Sequence, residues 1–187
     1  MIAAVVLAAG SSTRLGEAKQ FVTLSGETLL ERAIRTAREA RCSPVLVVLG
    51  AAHVEILAHI YFGNAVTVIN EKWREGMATS IRLGIQTLNA IAPDVEGAVL
   101  MTCDQPAVTV EHLNRLMSKQ ELKASHYAGR NGVPAYFPRK YFDDLMAITG
   151  DAGARSLLAQ AHFENLPHGE LDIDTAEDLA RARGLFG

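Results

Sequence analysis

The residues best suited to chemistry lie between positions 7 and 19. This segment reads Leu-Ala-Ala-Gly-Ser-Ser-Thr-Arg-Leu-Gly-Glu-Ala-Lys. Its small residues let backbone N–H groups approach a phosphate closely, and three consecutive hydroxyl side chains at positions 11 to 13 add further donors. Arg14 and Lys19 supply positive charge for phosphoryl oxygens. The segment predicts a loop that holds a triphosphate, with an ordinary glycine turn beside two solvated basic residues as the alternative.

This loop departs from two familiar nucleotide-binding motifs. A Walker A loop has Lys directly after its second glycine, but here Gly16 is followed by Glu17. A dinucleotide fingerprint has a second glycine two residues after the first, but Gly10 is followed at that position by Ser12. The sequence therefore favours neither a P-loop ATPase nor an NAD-dependent oxidoreductase.

Carboxylates follow two later strand-like segments. Asp104 comes almost directly after the apolar run 98–102. Asp172 and Asp174 alternate with Ile173, so both would face the same side of a strand. Mg²⁺ usually binds through one or two carboxylates together with substrate phosphates. We therefore predict a Mg²⁺ site with Asp104 and one of the later pair, and a turn or helix-capping role is the alternative for Asp104.

Other residues that bind ligands in many proteins carry weaker signals here. The six histidines show no metal-ligand spacing, which favours surface or core roles for them. Trp73 and Met77 would either line a pocket for a nucleotide base or pack half-buried.

Strands and helices alternate along the first 120 residues and must position these groups. Short apolar runs predict strands at 2–7, 45–49, 65–69 and 98–102. Apolar residues at helical spacing predict helices at 28–41, 53–61, 77–88 and 110–119. This alternation is typical of an α/β fold with a mostly parallel sheet, in which ligands bind at the carboxyl ends of the strands.

Beyond residue 121 the alternation is weaker. Strand-like pieces occur at 127, 135–137 and 171–174, and helical patterns at 139–146, 152–161 and 175–183. We expect Asp151 to cap the second of these helices, and Thr175 with Asp178 to cap the last. No linker, internal repeat or low-complexity tract interrupts the chain, so we expect one domain over residues 1–187.

Composition narrows the classes of function. The chain has 187 residues, 49% of them hydrophobic and 21% charged, which is typical of a globular protein. Its 18 basic and 21 acidic residues give a net charge of −3, which argues against a dedicated nucleic-acid binder. Cys42 and Cys103 form no CxxC pair, so we expect reduced thiols and a cytoplasmic location. No apolar run approaches the roughly 18 residues of a membrane span, and no basic segment precedes the first apolar run, so we expect neither membrane association nor a signal peptide.

Six segments, in order along the chain, resemble one known family. Residues 7–16 with Lys19 look like the signature loop of the MobA-like nucleotidyltransferases. The later segments are Asn70 with Trp73 and 75–81, then 103–106, 129–137, 150–155 and 172–179. Together they are most similar to the molybdenum cofactor cytidylyltransferases of that family. The resemblance implies a Rossmann-like, three-layer α/β/α fold of the nucleotide-diphospho-sugar transferase type and coupling of an NTP to a phosphorylated acceptor, with release of pyrophosphate.

The resemblance also implies roles for individual residues. Those expected to bind the nucleotide are Leu7, Ala8, Ala9, Gly10, Ser11, Ser12, Lys19, Gly76 and Ser80. Those expected to be catalytic are Arg14, Lys19 and Asp104, with Asp104 and Asp174 as the Mg²⁺ ligands. Those expected on the acceptor side are Gly132, Pro134 and Arg155. The Ala-Ala-Gly form of the loop resembles the CTP-using branch, because the GTP-using branch usually has two glycines there.

The hypothesis that follows is transfer of CMP from CTP to the phosphate of molybdopterin or the molybdenum cofactor, by in-line attack on the α-phosphorus. One alternative is a nucleotidyltransferase that acts on a sugar phosphate or on methylerythritol phosphate. Another is a carrier of nucleotide or molybdopterin, or an accessory protein of a molybdoenzyme, without turnover. If the acceptor is molybdopterin, a molybdenum hydroxylase or its maturation chaperone is the expected protein partner.

Overall fold

A central sheet organises the part of the chain that the computed structural model describes, which is residues 1–11, 16, 18–151 and 153–187. Across these residues the sheet has seven strands. In sheet order they are β5 (Val66–Ile69), β4 (Val45–Leu49), β1 (Ile2–Ala8), β6 (Gly97–Thr102), β8 (Arg130–Pro138), β7 (Lys123–Tyr127) and β9 (His162–Asn165). The pairs β5–β4, β4–β1, β1–β6 and β7–β9 are parallel, whereas β8 is antiparallel to β6 and β7. The predicted α/β fold with a mostly parallel sheet is confirmed.

Helices cover both faces of the sheet. They are α1 (Leu29–Glu39), α2 (His53–His59), α3 (Met77–Ile91), α4 (Val110–Met117), α5 (Phe142–Ala147), α6 (Arg155–Leu158) and α7 (Ala176–Phe186). A hydrophobic core lies on each face of the sheet. Alternate residues of β1 belong to the two cores, because successive strand side chains point to opposite faces. Ala4 and Val6 pack with α1, α2 and α4, and Val5 and Leu7 pack with α3, α5 and α6. This arrangement has the three layers that the family resemblance implied.

Local sequence signals set several helix starts. Thr28 caps α1 by accepting from the Glu31 N–H at 3.2 Å, while the Glu31 carboxylate accepts from the Thr28 N–H. Thr175 and Asp178 form the same reciprocal capping arrangement at α7, as predicted. A small antiparallel pair, β2 (Thr23–Leu24) and β3 (Glu27–Thr28), precedes α1. Within the described residues, every helix is too short or too polar to traverse a lipid bilayer.

Three local predictions for the last third of the chain are wrong. Residues 171–174 form no strand, because their backbone makes a single hydrogen bond to the segment after β6, from the Ile173 N–H to the Asp104 carbonyl at 3.0 Å. The helix predicted over 152–161 is reduced to α6, and the edge strand β9 follows it. Ala154 directly precedes α6 as its N-cap residue, and no side chain caps the helix. The expected capping role of Asp151 is therefore also wrong.

Candidate functional site

A first cavity of about 340 Å³ opens at the carboxyl ends of β1 and β6. The residues predicted to bind nucleotide that line it are Leu7, Ala8, Ala9, Gly10, Lys19, Gly76 and Ser80. Trp73 and Met77 also line it, in keeping with the base-pocket interpretation of that pair. Gln20 and Arg74, which no sequence pattern indicated, also line this cavity. Asp151, which was expected to cap a helix, lines it as well.

A second cavity of about 360 Å³ adjoins the first. The predicted site residues that line it are Lys19, Asp104, Gly132, Arg155 and Asp174. Tyr127, Arg130 and Asn131 line it too and were not predicted as site residues. The two cavities have four lining residues in common, which are Lys19, Met77, Thr102 and Asp104. Ligands bound in the two cavities would therefore meet at a lysine and an aspartate.

Lys19 lies between two of the predicted carboxylates. Its Nζ donates to Asp104 Oδ2 at 2.5 Å and to Asp174 Oδ1 at 2.9 Å. The side chains of Lys19 and Asp104 are only 15% and 13% exposed. Burial by itself lowers the pKa of Lys19, but the attraction of Asp104, reinforced by Asp174, outweighs it and the net pKa is raised. Lys19 therefore keeps its positive charge although it is largely buried.

Three different parts of the chain bring this cluster together. Lys19 begins a short 3₁₀ turn, Lys19–Phe21, directly after the glycine-rich segment. Gln20 holds that turn to the end of β1, because its Nε2 donates to the Ala8 carbonyl at 2.7 Å and to the Gly10 carbonyl at 3.3 Å. Asp104 follows β6, and the hydrogen bond from the Ile173 N–H to its carbonyl brings the neighbouring Asp174 alongside.

The carboxylates at this cluster are suited to a divalent metal ion. Asp104 Oδ1 is buried and, among the described residues, accepts no hydrogen bond, so one carboxylate oxygen is available as a ligand. The described residues contain no group of three or more His, Cys, Asp or Glu side chains arranged around one point. Two carboxylates with substrate phosphates are nevertheless a common ligand set for Mg²⁺. Asp172 also lines the second cavity, where burial and, secondly, repulsion by Asp104 raise its pKa to about 7.

A buried polar network supports the part of the first cavity that Ser80 lines. Asn70 is 4% exposed, and its Nδ2 donates to Thr79 Oγ1 at 2.8 Å and to Ser80 Oγ at 2.9 Å. Its Oδ1 accepts from the Lys72 N–H at 3.0 Å. These bonds join the segment after β5 to the first turn of α3. Ser80 is thereby fixed at the cavity lining by a residue that does not line the cavity itself.

A second network supports the residues that the family resemblance places on the acceptor side. Tyr127 Oη donates to the Val133 carbonyl at 3.0 Å and accepts from Gln105 Nε2 at 3.3 Å. Pro134 is buried and is not among the lining residues of the second cavity. Its carbonyl accepts from Ser125 Oγ at 2.6 Å, and Ser125 Oγ is in turn 2.7 Å from His112 Nε2. Pro134 is thus placed beneath the cavity rather than at its surface.

The last predicted site residues belong to the glycine-rich segment. Ser12 and Arg14 lie outside the described residues, as does Thr13. Ser11 is exposed beside Gly10 and is not among the lining residues of the first cavity.

Comparisons with known proteins agree with this geometry. Residues 4–166 match the model of the MobA-like NTP transferase domain. The purine catabolism protein PucB of Bacillus subtilis (strain 168) is 32% identical, over 96% of this chain and 94% of its own. Nicotine blue oxidoreductase of Paenarthrobacter nicotinovorans is 29% identical, over 96% and 95% of the two chains. The molybdenum cofactor cytidylyltransferase of Escherichia coli (strain K12) is 24% identical, over 97% and 95%.

Solved structures show the same similarity. Rv0371c from Mycobacterium tuberculosis H37Rv superimposes with a TM-score of 0.84 and 31% identity, over 98% of this chain and 97% of that one. The same protein has also been solved in complex with manganese, in a structure that matches with a TM-score of 0.78. The Rossmann-like fold of the nucleotide-diphospho-sugar transferase type is therefore confirmed. With its glycine-rich segment, its two adjoining cavities and a domain match over most of its length, the chain belongs to the MobA-like NTP transferase family of nucleotidyltransferases.

Proposed function

We propose that this protein transfers CMP from CTP to a phosphorylated acceptor, with molybdopterin or the molybdenum cofactor as the preferred acceptor, and releases pyrophosphate. The first cavity would take the nucleotide and the second the acceptor. The observation that carries the proposal is that the two cavities meet at Lys19 and Asp104. A group-transfer enzyme needs such a junction, because both reactants must be held in contact in one orientation.

The reaction requires no protein nucleophile. An oxygen of the acceptor phosphate forms a bond to the α-phosphorus of CTP, and the bond from that phosphorus to the bridging oxygen of the β-phosphate breaks. The electron pair of the broken bond leaves with pyrophosphate. The acceptor oxygen is already anionic, so no proton has to be removed from it. The protein therefore acts by positioning the reactants and by neutralising charge.

The residues of this chain divide that work. The backbone of the segment ending at Gly10 and the Ser80 hydroxyl would contact the nucleotide from the first cavity. Lys19, charged and largely buried, would stabilise the α-phosphate and the leaving pyrophosphate. Arg14 is assigned the same task from its place in the sequence. Asp104 and Asp174 would hold Mg²⁺, which when bound neutralises phosphate charge and aligns the two reactants.

The preference for CTP rests on sequence and on similarity. The Ala8-Ala9-Gly10 form resembles the CTP-using branch of the family, and the E. coli relative is a molybdenum cofactor cytidylyltransferase. Trp73 and Met77 at the lining of the first cavity provide an apolar surface for a base. A molybdenum hydroxylase or its maturation chaperone would receive the product.

The proposal is tested by pyrophosphate release. The purified protein is incubated with Mg²⁺ and CTP, GTP, ATP or UTP, with and without molybdenum-loaded molybdopterin, and the products are identified by mass spectrometry. We expect release only with CTP and that acceptor together, and a product that contains CMP joined to the acceptor phosphate. Omission of the metal, with chelator added, should abolish release.

Other outcomes identify the alternatives. Release with a sugar phosphate or with methylerythritol phosphate, but not with molybdopterin, would keep the reaction and replace the acceptor. Measurable CTP binding without release for any acceptor would favour a carrier or accessory protein.

A redox function is the second candidate, because the relative named nicotine blue oxidoreductase is 29% identical over nearly the whole chain. The cluster of Lys19, Asp104 and Asp174 favours phosphoryl chemistry over hydride transfer, since it presents a cation and two metal-binding carboxylates at the junction of the cavities. NAD(P)H oxidation with an aromatic acceptor, followed by absorbance, would separate the two functions. Oxidation in the absence of any pyrophosphate release would contradict the proposal.

A further inference from the structure

An outer cavity of about 520 Å³ adjoins the second cavity on the side away from Lys19. The two have Arg130, Asn131 and Arg155 in common. We propose that Arg130 and Arg155 form an oxyanion site at the passage between these cavities. The site would hold an anionic group other than the phosphate that reacts at Lys19. This inference rests on the proposed function in one respect, namely that the second cavity takes the acceptor.

Arg130 and Arg155 are both exposed at the passage, so their guanidinium groups are accessible to a ligand. Within the described residues, neither Arg130 nor Arg155 forms an ion pair or donates a side-chain hydrogen bond. Asp172 also lines the second cavity, and the positive charge of Arg130 acts to lower the Asp172 pKa, but the two side chains form no ion pair. Arg130 lies over the Tyr127 ring, 5.8 Å from its centroid, so its planar group is held by an aromatic face. Guanidinium groups without a carboxylate partner are the usual means of binding an oxyanion.

Asn131 joins the two chain segments that carry the arginines. Its Nδ2 donates to the Leu158 carbonyl at 2.9 Å, at the end of the helix that Arg155 begins. Its Oδ1 is 2.9 Å from His126 Nδ1, which donates because the amide nitrogen is already used as a donor. The first residue of β8, Arg130, is therefore tied to α6. The backbone positions of the two arginines are thereby held, and their side chains become ordered when an anion binds.

The outer cavity continues beyond the arginines to an aromatic pair. The rings of His126 and Phe163 lie 4.6 Å apart at an interplanar angle of 35°, and Phe163 is 54% exposed. An apolar surface directly beyond two cations suits a ligand that is larger than a phosphate. The class of acceptor indicated is a phosphomonoester with a second anionic group and an apolar portion beyond it. An anion that is not part of the acceptor would bind the same two arginines through the same charge and hydrogen bonds.

The site is tested with inorganic phosphate as the probe. CTP is first added to saturation so that phosphate cannot report on the first cavity, and binding is followed through the arginine side-chain N–H signals in NMR spectra. We expect phosphate to shift the signals of Arg130 and Arg155. Arg130→Gln and Arg155→Gln should each weaken phosphate binding by about tenfold, because each removes one of two charged hydrogen-bond donors. Arg41→Gln, an exposed arginine after α1, is the control and should bind phosphate as the unchanged protein does.

Two matched phosphomonoesters then distinguish the source of the anion. 3-Phosphoglycerate carries a carboxylate that glycerol 3-phosphate lacks. If 3-phosphoglycerate displaces inorganic phosphate from the arginines and glycerol 3-phosphate does not, the anion is a second group of the acceptor. If inorganic phosphate stays bound in the presence of either phosphomonoester, the site takes an anion that is not part of the acceptor. That outcome supports the oxyanion site equally.

Unmoved signals of Arg130 and Arg155, together with equal phosphate binding by all three variants, would overturn the proposal. That result is independent of the proposed nucleotidyl transfer, because no turnover is measured. A protein that binds phosphate at the arginines but releases no pyrophosphate with any acceptor would contradict only the proposed function.

Discussion

The first and second cavities meet at Lys19 and Asp104 but are built in different ways. The first lies at the ends of the parallel strands β1 and β6, and backbone and small residues shape it. A Cβ at Gly50 would lie only 2.7 Å from the Ala9 carbonyl oxygen, and one at Gly76 only 2.8 Å from the Gly150 carbonyl oxygen. Close contacts of this kind leave little freedom for substitution.

The second cavity is shaped mainly by long side chains. It lies against the antiparallel strands β7 and β8 and the irregular segment that contains Asp174. Hydrogen bonds between side chains and carbonyl groups, such as that of Tyr127 to Val133, hold it in place. Such contacts can be exchanged without moving the backbone. If the first cavity takes the nucleotide and the second the acceptor, as proposed, the acceptor can change while the nucleotide site is kept. Four predictions test that difference.

The largest effect is expected at the junction of the two cavities. Asp104→Ala removes the carboxylate that bonds Lys19 and that we assign to the metal. We expect the rate of pyrophosphate release to fall about a thousandfold, which corresponds to roughly 4 kcal/mol of transition-state stabilisation. Binding of both substrates should be affected, because both cavities contain this residue. Steady-state kinetics with each substrate varied in turn measures the effect.

A matched control separates this loss from unfolding. Asp94→Ala changes an exposed aspartate before β6 and should alter neither turnover nor thermal stability. Near-normal turnover in the Asp104 variant would contradict its assignment, whereas a lost cooperative unfolding transition would show that the residue is needed for folding.

The second prediction concerns how the free energy of unfolding changes with acid, through a histidine that supports the second cavity. Burial, mainly, with the positive charge of Arg115, lowers the pKa of His112 from 6.5 to about 4. Between these values the unfolded chain binds a proton that the folded protein does not, so stability falls as the pH is lowered from 6.5 to 4. The loss should reach about 3 kcal/mol for this residue. His112 supports Pro134 through Ser125, so the acceptor side carries this sensitivity.

Urea unfolding from pH 7.5 down to pH 4 measures the dependence. His112→Gln removes the titrating group and keeps a side chain that can donate to Ser125. Its free energy of unfolding should fall less steeply with acid than that of the unchanged protein. Parallel curves for the two proteins would show that other groups carry the acid sensitivity.

The third prediction tests the tight backbone of the first cavity. Gly76 has φ +107°, a conformation that side chains rarely adopt, and an added Cβ would contact Gly150 and Asp151. Gly76→Ala should lower the free energy of unfolding by about 2 kcal/mol and raise the KM for the NTP. Gly10→Ala is the matched variant, since no described residue lies within 4 Å of a Cβ added at this position. It should leave stability unchanged and raise only the KM, because Gly10 lines the cavity. Equal stability losses in both variants would contradict the difference between the two glycines.

The first cavity is also the part of the site that the sequence predicts best. The strands at 45–49 and 98–102 and the start of the helix at residue 77 have local patterns, and the structure places them within one residue of the expected bounds. The glycine-rich segment also has a local pattern, and part of it lies outside the described residues. Asp104 and Lys19 stand next to these elements in the sequence. A carboxylate that directly follows a buried parallel strand must lie at the ligand-binding edge of the sheet.

The acceptor side depends on contacts that no local pattern shows. The strand β9 reads His-Phe-Glu-Asn, with no apolar run, and it forms because β7 offers it an edge. Residues 171–174 alternate like a strand, yet only the single bond from Ile173 joins their backbone to the segment that follows β6. Gln20, Tyr127 and Arg130 were not predicted as site residues, because their partners are distant in sequence. A polar residue at the end of a predicted strand is the one signal that could have indicated Arg130.

The smallest effect is expected for a single hydroxyl on the acceptor side. Tyr127→Phe removes the donor to the Val133 carbonyl and the acceptor for Gln105, while Gln105 keeps its bond to the Gly169 carbonyl at 3.2 Å. The free energy of unfolding should fall by about 1 kcal/mol. Because Val133 lines only the second cavity, the KM for the acceptor should rise about threefold while the KM for the NTP stays the same. Denaturant unfolding and kinetics with each substrate varied measure the two effects.

Tyr136→Phe is the control for that hydroxyl. Tyr136 is fully buried on the neighbouring strand, and its Oη is without a hydrogen-bond partner among the described residues. Removing a buried hydroxyl that makes no bond relieves an unsatisfied polar group, so this variant should be as stable as the unchanged protein or more so. If Tyr127→Phe raised the KM for the NTP as much as that for the acceptor, the two cavities would respond as one unit. The separation between a nucleotide side and an exchangeable acceptor side would then be wrong.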